Sequence, residues 1–399
     1  LAPRTALPPA AQQAQADFYL PYAVLAADVY RTGGQADALT AMAMVSPWLR
    51  AEVDASGDPA VKDRYRRQAF PDAERAYREI VRRRCVHEQA AADPGADPAA
   101  LSPSCQAEAD LQELDADALS AAEEETIRFL QEEPSDAADC AYNRGHEPKL
   151  PVAQVARDNH WTRVPELQKQ AAVRGWRLFV PELAIDVWRR ERSQPGQPRV
   201  MEYAIVYRGT VGGGGWMSNL RGLTALTPLV WDQYRQAREA TAVIIAQIDR
   251  LHTLADSLLS AREPTRVLFT AVGHSLGGGL AQYVYLRNPR ITRVIGFDPS
   301  PIDGASIIPV EARPAVTAHG KRQVDTDPYD HDAAIFLLFE HRSVMSLVTP
   351  CQSGPIWGAE GGPSLRCDVV DYSHGNIMRQ HNMAQLACKL FLASSRRSP

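Results

Sequence analysis

Apolar positions recur every three or four residues in the segment 16–30, where Phe18, Tyr22, Leu25 and Val29 would share one helical face. Beyond Trp161 the pattern changes. Segments 177–188 and 202–207 read as strands, the second apolar and β-branched. Residues 231–259 predict a long helix, 266–272 a short buried strand, and 276–286 a helix. Strands are expected at 292–297, 334–339 and 368–372. An amphipathic helix over 381–393, with Met383, Leu386 and Leu390 on one face, closes the chain. Strands alternating with helices in this way predict an α/β fold, with a mostly parallel central sheet flanked by helices.

The stretch 51–145 breaks this alternation. Its first part, 61–84, is helical in composition and basic, carrying Arg64, Arg66, Arg67, Arg75, Arg78, Arg82, Arg83 and Arg84. The following 88–139 is rich in Asp and Glu, is punctuated by Pro94, Pro98 and Pro103, and has Arg128 as its one basic residue. Two solvated helices with facing opposite charges account for this block, and a partner-docking surface is the alternative. The expected organisation is a single domain over 1–399, with 51–145 as a helical insertion near the N-terminus.

Composition narrows the class. Apolar residues make up 45% of the 399 and charged residues 23%, which excludes a wholly disordered, collagen-like or coiled-coil chain. The formal charge of −5 lacks the basic excess that neutralises phosphates, so nucleic acid is not an expected partner. No apolar run reaches the roughly 18 residues of a transmembrane span. The six cysteines are even in number and show no zinc-ligand spacing. Cys351 and Cys367 flank a Gly/Pro-rich loop of about 15 residues that a disulfide could close. Cys105 could pair with Cys85 or Cys140, and Cys388 reads as a buried thiol. The first residue is Leu1 and segment 1–12 is Pro/Ala-rich without a signal-peptide pattern, so a removed leader or a trimmed chain would both fit. Export to a periplasmic or extracellular space is the expectation, with the cytoplasm left open. Asp325, Asp327, Asp330 and Asp332 read as a solvated acidic loop rather than a Ca²⁺ site. No metal or organic cofactor is expected.

Gly273-His274-Ser275-Leu276-Gly277 follows the strand predicted at 266–272 and opens the next helix. That setting gives the Gly-x-Ser-x-Gly pattern a mechanism. A nucleophilic serine must project from a sharp turn, and Gly273 and Gly277 let strand and helix approach. The helix N-terminus then supplies unpaired N–H groups where negative charge develops. Such a serine needs a base, the base an orienting carboxylate, and the oxyanion two donors. Leu276 would give the first donor through its backbone. A second should come from a loop after an upstream strand, and Tyr207-Arg208-Gly209-Thr210 occupies that place.

The Tyr-Arg-Gly-Thr segment together with Gly-His-Ser-Leu-Gly-Gly resembles the class 3 (fungal-type) lipase branch of the α/β-hydrolases. The resemblance spans roughly residue 150 to the C-terminus, plus the helix around Tyr22. It implies an α/β-hydrolase fold, ester hydrolysis and a backbone donor at Thr210. The acid is open between two positions. Gly296-Phe297-Asp298-Pro299 is similar to the acid-bearing segment of pancreatic-type lipases, whereas class 3 lipases carry the acid one strand later, where this chain has Glu340 near Ser343. Asp371 is a further acidic alternative. For the base, His381 at the start of the closing helix and His374 just after the last strand both qualify; His274 reads as a support for the nucleophile.

Gly212 to Gly215 precede an apolar segment with Trp216, Met217, Leu220, Leu223, Leu226, Leu229 and Trp231. A lid over 212–231 able to touch a lipid interface is one reading, and a fixed helix the other. Together these features lead to an expectation of lipase-like ester hydrolysis through Ser275, His381 and Asp298. Phospholipase or thioesterase chemistry is the alternative within that class, and a non-catalytic binding protein the alternative outside it.

Overall fold

The computed structural model describes residues 9–30, 46–68, 150–164, 167, 169–170, 183–192, 199–209, 228–259, 265–301, 333–341, 354–355, 364–370 and 381–395. The periodic segment near the N-terminus forms α1 (Pro9–Asp28). It begins well before residue 16, in a stretch of Ala and Gln whose helix propensity is high. Further helices are α2 (Pro47–Ala55), α3 (Val152–Asp158), α4 (Pro228–Leu258), α5 (Leu276–Arg287) and α6 (Met383–Ser395).

The strands are β1 (Thr162–Arg163), β2 (Lys169–Gln170), β3 (Ala184–Glu191), β4 (Val200–Tyr207), β5 (Arg266–His274), β6 (Ile291–Phe297), β7 (Ala333–Glu340), β8 (Gly354–Pro355) and β9 (Ser364–Val370). They make one sheet in the order β1-β3-β4-β5-β6-β7-β9-β8, with β2 also paired to β3. Neighbours from β4 through β5, β6 and β7 to β9 are parallel. The edge strands pair antiparallel. This is a mostly parallel α/β sheet with flanking helices.

Period-2 alternation sends successive side chains of each strand to opposite faces. Ala204 and Val206 of β4, Val272 of β5, Ile295 and Phe297 of β6, and Phe336 and Leu338 of β7 pack against α1, α3 and α6. Tyr203, Ile205, Phe269, Ala271, Val294 and Leu337 face the other way, onto α4 and α5. The two crossover helices therefore cover one face, and the helices near the chain ends cover the other. At the start of the expected insertion, Trp48, Leu49, Val53, Val61 and Tyr65 pack on Leu251, Leu254 and Leu258 of α4. The remainder of 51–145 lies outside the described residues, as do Thr210, the 212–227 part of the expected lid, Asp325, Asp327, Asp330, Asp332, Ser343, Asp371, His374 and four of the cysteines.

Two expectations change. Cys388 is not a free thiol: both it and Cys367 are disulfide-bonded. The last strand begins at Ser364 rather than 368. Its polar Arg366 and Asp368 are accommodated because Arg366 Nε donates to Asp368 Oδ2 at 3.1 Å and the Tyr19 hydroxyl of α1 donates to the same oxygen at 2.8 Å.

A charged cluster is buried under α1. Glu202 on β4 is 1% exposed. Its Oε1 accepts from Tyr22 at 2.9 Å and Thr270 at 2.7 Å, and its Oε2 from Arg190 Nε at 2.8 Å. Arg192 approaches Oε2 at 3.5 Å. Arg190 also lies over the Tyr22 and Trp161 rings. Burial alone would raise the Glu202 carboxyl, but Arg190, Arg192 and Arg293 together hold it at about 2. The buried Glu202 charge is thus compensated by neighbouring guanidinium groups, as a buried charge must be.

Candidate active site

Register sets the C-terminal ends of the parallel strands level. Tyr207 at the end of β4 pairs with Gly273, and His274 at the end of β5 pairs with Phe297 at the end of β6. Two loops leave β5 and β6 here side by side and are met by the approach to α6, at the edge where open α/β sheets carry their ligand crevices.

The first loop is the turn at Ser275. Its backbone sits at φ 57°, ψ −126°, a conformation that a non-glycine residue occupies at a cost of about 1–3 kcal/mol. Hydrogen bonds fix it there. Ser275 N–H donates to Phe297 O at 3.0 Å, while Ser275 O accepts from Gly279 N at 3.2 Å and Ser300 N at 2.9 Å. Glycine is required on both sides of the turn. A Cβ on Gly273 would run into the Gly277 carbonyl, and one on Gly277 into the Tyr207 carbonyl. Leu276 opens α5, so its N–H is one of the helix-start donors that lack an intrahelical acceptor.

The second loop carries Asp298, directly after β6 and 1% exposed. It too has positive φ, 39°, a region that aspartate tolerates better than most residues. Asp298 N–H donates to Leu338 O at 2.8 Å, and Asp298 Oδ1 accepts from the Glu340 N–H at 3.0 Å. The backbone of β7 therefore orients the Asp298 carboxylate.

The third part is the approach to α6. Asn382 caps that helix: its Oδ1 accepts from Gln385 N at 3.1 Å and its carbonyl from Leu386 N at 3.0 Å. The cap fixes the direction in which the preceding residue, His381, enters the site. His381 Nε2 lies 2.8 Å from Ser275 Oγ, and His381 Nδ1 lies 4.0 Å from Asp298 Oδ2. The second separation is an electrostatic contact longer than a hydrogen bond, of the sort that tightens when substrate binds. Burial pushes the His381 imidazole down to about 4, which keeps it neutral and able to accept a proton.

Of the residues singled out in the sequence, Ser275, His381 and Asp298 are brought together, with Leu276, Gly273, Gly277 and His274 around them. Glu340 is also buried, and it meets Asp298 through its backbone N–H. Thr210 and His374 lie outside the described residues. Tyr30 was not anticipated. Its hydroxyl is 2.9 Å from His274 Nδ1 and accepts from Gly209 N at 3.1 Å, although 244 residues separate it from His274. Only its place at the end of the first amphipathic segment could have hinted at this.

His274, Asp298 and His381 each have a potential ligand atom within 4.8 Å of the others. Two imidazoles and one carboxylate could in principle hold a cation. The short Nε2–Oγ contact, however, gives His381 a partner in the serine.

Comparison with protein-family models, with curated proteins and with solved structures finds no match. Among the described residues, no helix is long and apolar enough to cross a membrane.

Proposed function

We propose that the chain is a serine hydrolase of carboxylic esters, lipase-like in its substrates. The observation that carries this reading is the 2.8 Å contact between His381 Nε2 and Ser275 Oγ, made by a serine held in a strained turn with Asp298 behind the imidazole. A hydroxyl near neutral pH is a weak nucleophile. A neutral imidazole in contact with it can take its proton as the oxygen attacks the acyl carbon. Asp298 stabilises the imidazolium so formed. The backbone N–H groups of Leu276 and Thr210 receive the oxyanion, each worth on the order of 3 kcal/mol in such sites. His381 then protonates the departing alcohol, leaving an acyl group on Ser275. Water, deprotonated by the same imidazole, releases the acid and restores the serine. The lipase-like part of the reading rests on the resemblance to class 3 lipases and on the apolar 212–231 segment that would cover the site.

The disulfide-bonded Cys367 and Cys388 support an oxidising compartment, and hence export.

Hydrolysis of p-nitrophenyl esters from acetate to palmitate, with wild type and Ser275→Ala in parallel, tests the reading. Activity confined to the wild type and rising with chain length supports a lipase; activity on short chains only supports an esterase with a fixed 212–231 segment. Equal rates in Ser275→Ala would refute the mechanism.

A further inference from the structure

A second histidine lies inside the site, and the triad chemistry leaves it without a task. His274 is 5% exposed, and its ring centroid is 4.7 Å from that of His381, with the planes 38° apart. A cation there would oppose the imidazolium that His381 must become. Burial and the neighbouring His381 hold the His274 ring well below the usual imidazole range, so it is neutral.

The tautomer of His274 follows from proton counting. The Tyr30 hydroxyl has one proton to give, and its oxygen already accepts from Gly209 N–H at 3.1 Å. Two acceptors are in reach: His274 Nδ1 at 2.9 Å and the His274 carbonyl at 3.5 Å. The shorter contact takes the proton, which makes Nδ1 the acceptor and leaves the ring proton on Nε2. Nε2 is buried without a hydrogen bond among the described residues. The result is a polar chain running from Gly209 N–H through Tyr30 to His274, whose ring lies beside that of His381. Space at its start is tight: a Cβ on Gly209 would strike the Tyr30 hydroxyl.

Each point on this chain borders a part of the proposed machinery. Gly209 immediately precedes Thr210, the expected oxyanion donor. His274 immediately precedes Ser275, and the chain ends beside the base. Tyr30 itself lies just past the end of α1, which covers one face of the sheet together with α3 and α6.

We propose that Tyr30 and His274 are positioning residues: together they align the Gly209 backbone, which leads into the expected donor Thr210, with the Ser275 turn and present a neutral imidazole beside His381. The proposal rests on the serine hydrolase reading above. It assigns the N-terminal helix a part in transition-state alignment as well as in covering the sheet.

The test uses the full chain and compares wild type, Ser275→Ala, Tyr30→Phe, His274→Asn and His274→Leu. Steady-state hydrolysis of the best p-nitrophenyl ester is measured beside affinity for a trifluoromethyl ketone of matching acyl length, which adds a serine to form a tetrahedral adduct. Thermal melting of each variant monitors the fold. Loss of one aligning hydrogen bond should lower kcat of Tyr30→Phe about tenfold with KM little changed. The ketone should bind that variant more weakly by the same factor. Asn can place its Oδ1 near the position of Nδ1, so His274→Asn should stay within about threefold of wild type, whereas Leu, which offers no acceptor, should resemble Tyr30→Phe. Wild-type kcat and ketone affinity in Tyr30→Phe overturn the proposal, as does an equal loss in His274→Asn and His274→Leu. An inert wild type, or a Ser275→Ala variant as active as wild type, overturns the hydrolase reading itself and the proposal with it.

Discussion

The identity of the acid in the proposed triad can be decided by two isosteric changes. Asp298 Oδ2 stands 4.0 Å from His381 Nδ1, while Asp298 Oδ1 is held by the Glu340 N–H. Asp298→Asn keeps an oxygen that can accept the Glu340 N–H, so it removes the charge while preserving the loop. A unit charge at 4 Å stabilises the forming imidazolium by about 4 kcal/mol at an effective dielectric of about 20. That energy corresponds to roughly a thousandfold in rate. Loss of the correct imidazole tautomer could extend the fall to about 10⁴, the figure known for the same change in the serine protease triad. Glu340→Gln removes a buried carboxyl group but leaves both the Asp298 carboxylate and the backbone donor that orients it. Its kcat should stay within about threefold of wild type once the folded fraction is matched. The assay is kcat/KM on the best p-nitrophenyl ester, with the rate of Ser275 labelling by a fluorophosphonate in parallel. Labelling reports nucleophile activation without depending on acyl preference. A thousandfold fall in Glu340→Gln beside a near-normal Asp298→Asn would move the acid to the end of β7. Near-normal turnover in both would exclude these two carboxylates and leave Asp371, the remaining acidic alternative, to be substituted next.

Two further outcomes follow from buried ionisable groups. His381 must be neutral to act as a base, and burial sets it at about 4, so kcat/KM should rise with pH through about 4 and be level from about 5.5 to neutrality; a midpoint near the ordinary imidazole value of 6.5 would refute the burial argument. Glu202 is held at about 2 against an ordinary 4.5, which corresponds to about 3 kcal/mol of folding stability at neutral pH. Because its folded value is depressed, that stability is complete above pH 4.5 and is lost as pH falls toward 2. Glu202→Gln leaves Arg190, Arg192 and Arg293 without their shared carboxylate, so urea unfolding at pH 7 should show a loss of about 3–5 kcal/mol and a flatter pH dependence between 4.5 and 2. A change below about 1 kcal/mol would mean that solvent reaches the cluster.

The elements that position Ser275 were legible because each has a strong local signal. The apolar strand before Gly273 and the Gly-rich turn after it became β5 and the start of α5 within two residues of the expected limits. The two-residue strands β1, β2 and β8 are too short for any periodicity to appear. In β9, Leu365-Arg366-Cys367-Asp368-Val369 alternates apolar and polar, but the two charges obscured its start, and their half-buried side chains are held by their mutual contact and by Tyr19 of α1. Tyr22 was read as one of a row of apolar positions. The same side chain also donates its hydroxyl to Glu202, a partner 180 residues away that no window of sequence could supply.

The choice between Asp298 and Glu340 illustrates the same limit at the site. Both are acids at the ends of adjacent parallel strands, so sequence spacing treats them alike. What separates them is the direction of one backbone group. Because the Glu340 N–H points at Asp298 Oδ1, β7 acts as a support for the carboxylate on β6, and that carboxylate is left with Oδ2 toward His381. The Asn382 cap performs the matching function for the base, since it fixes where α6 begins and so where His381 enters. Ser275, Asp298 and His381 thus each owe their position to a neighbouring hydrogen bond that the motif does not contain. A change that leaves all three residues intact can therefore disable the site, which places Asn382 and the backbone around Glu340 among the positions where substitutions would act on turnover without touching the triad.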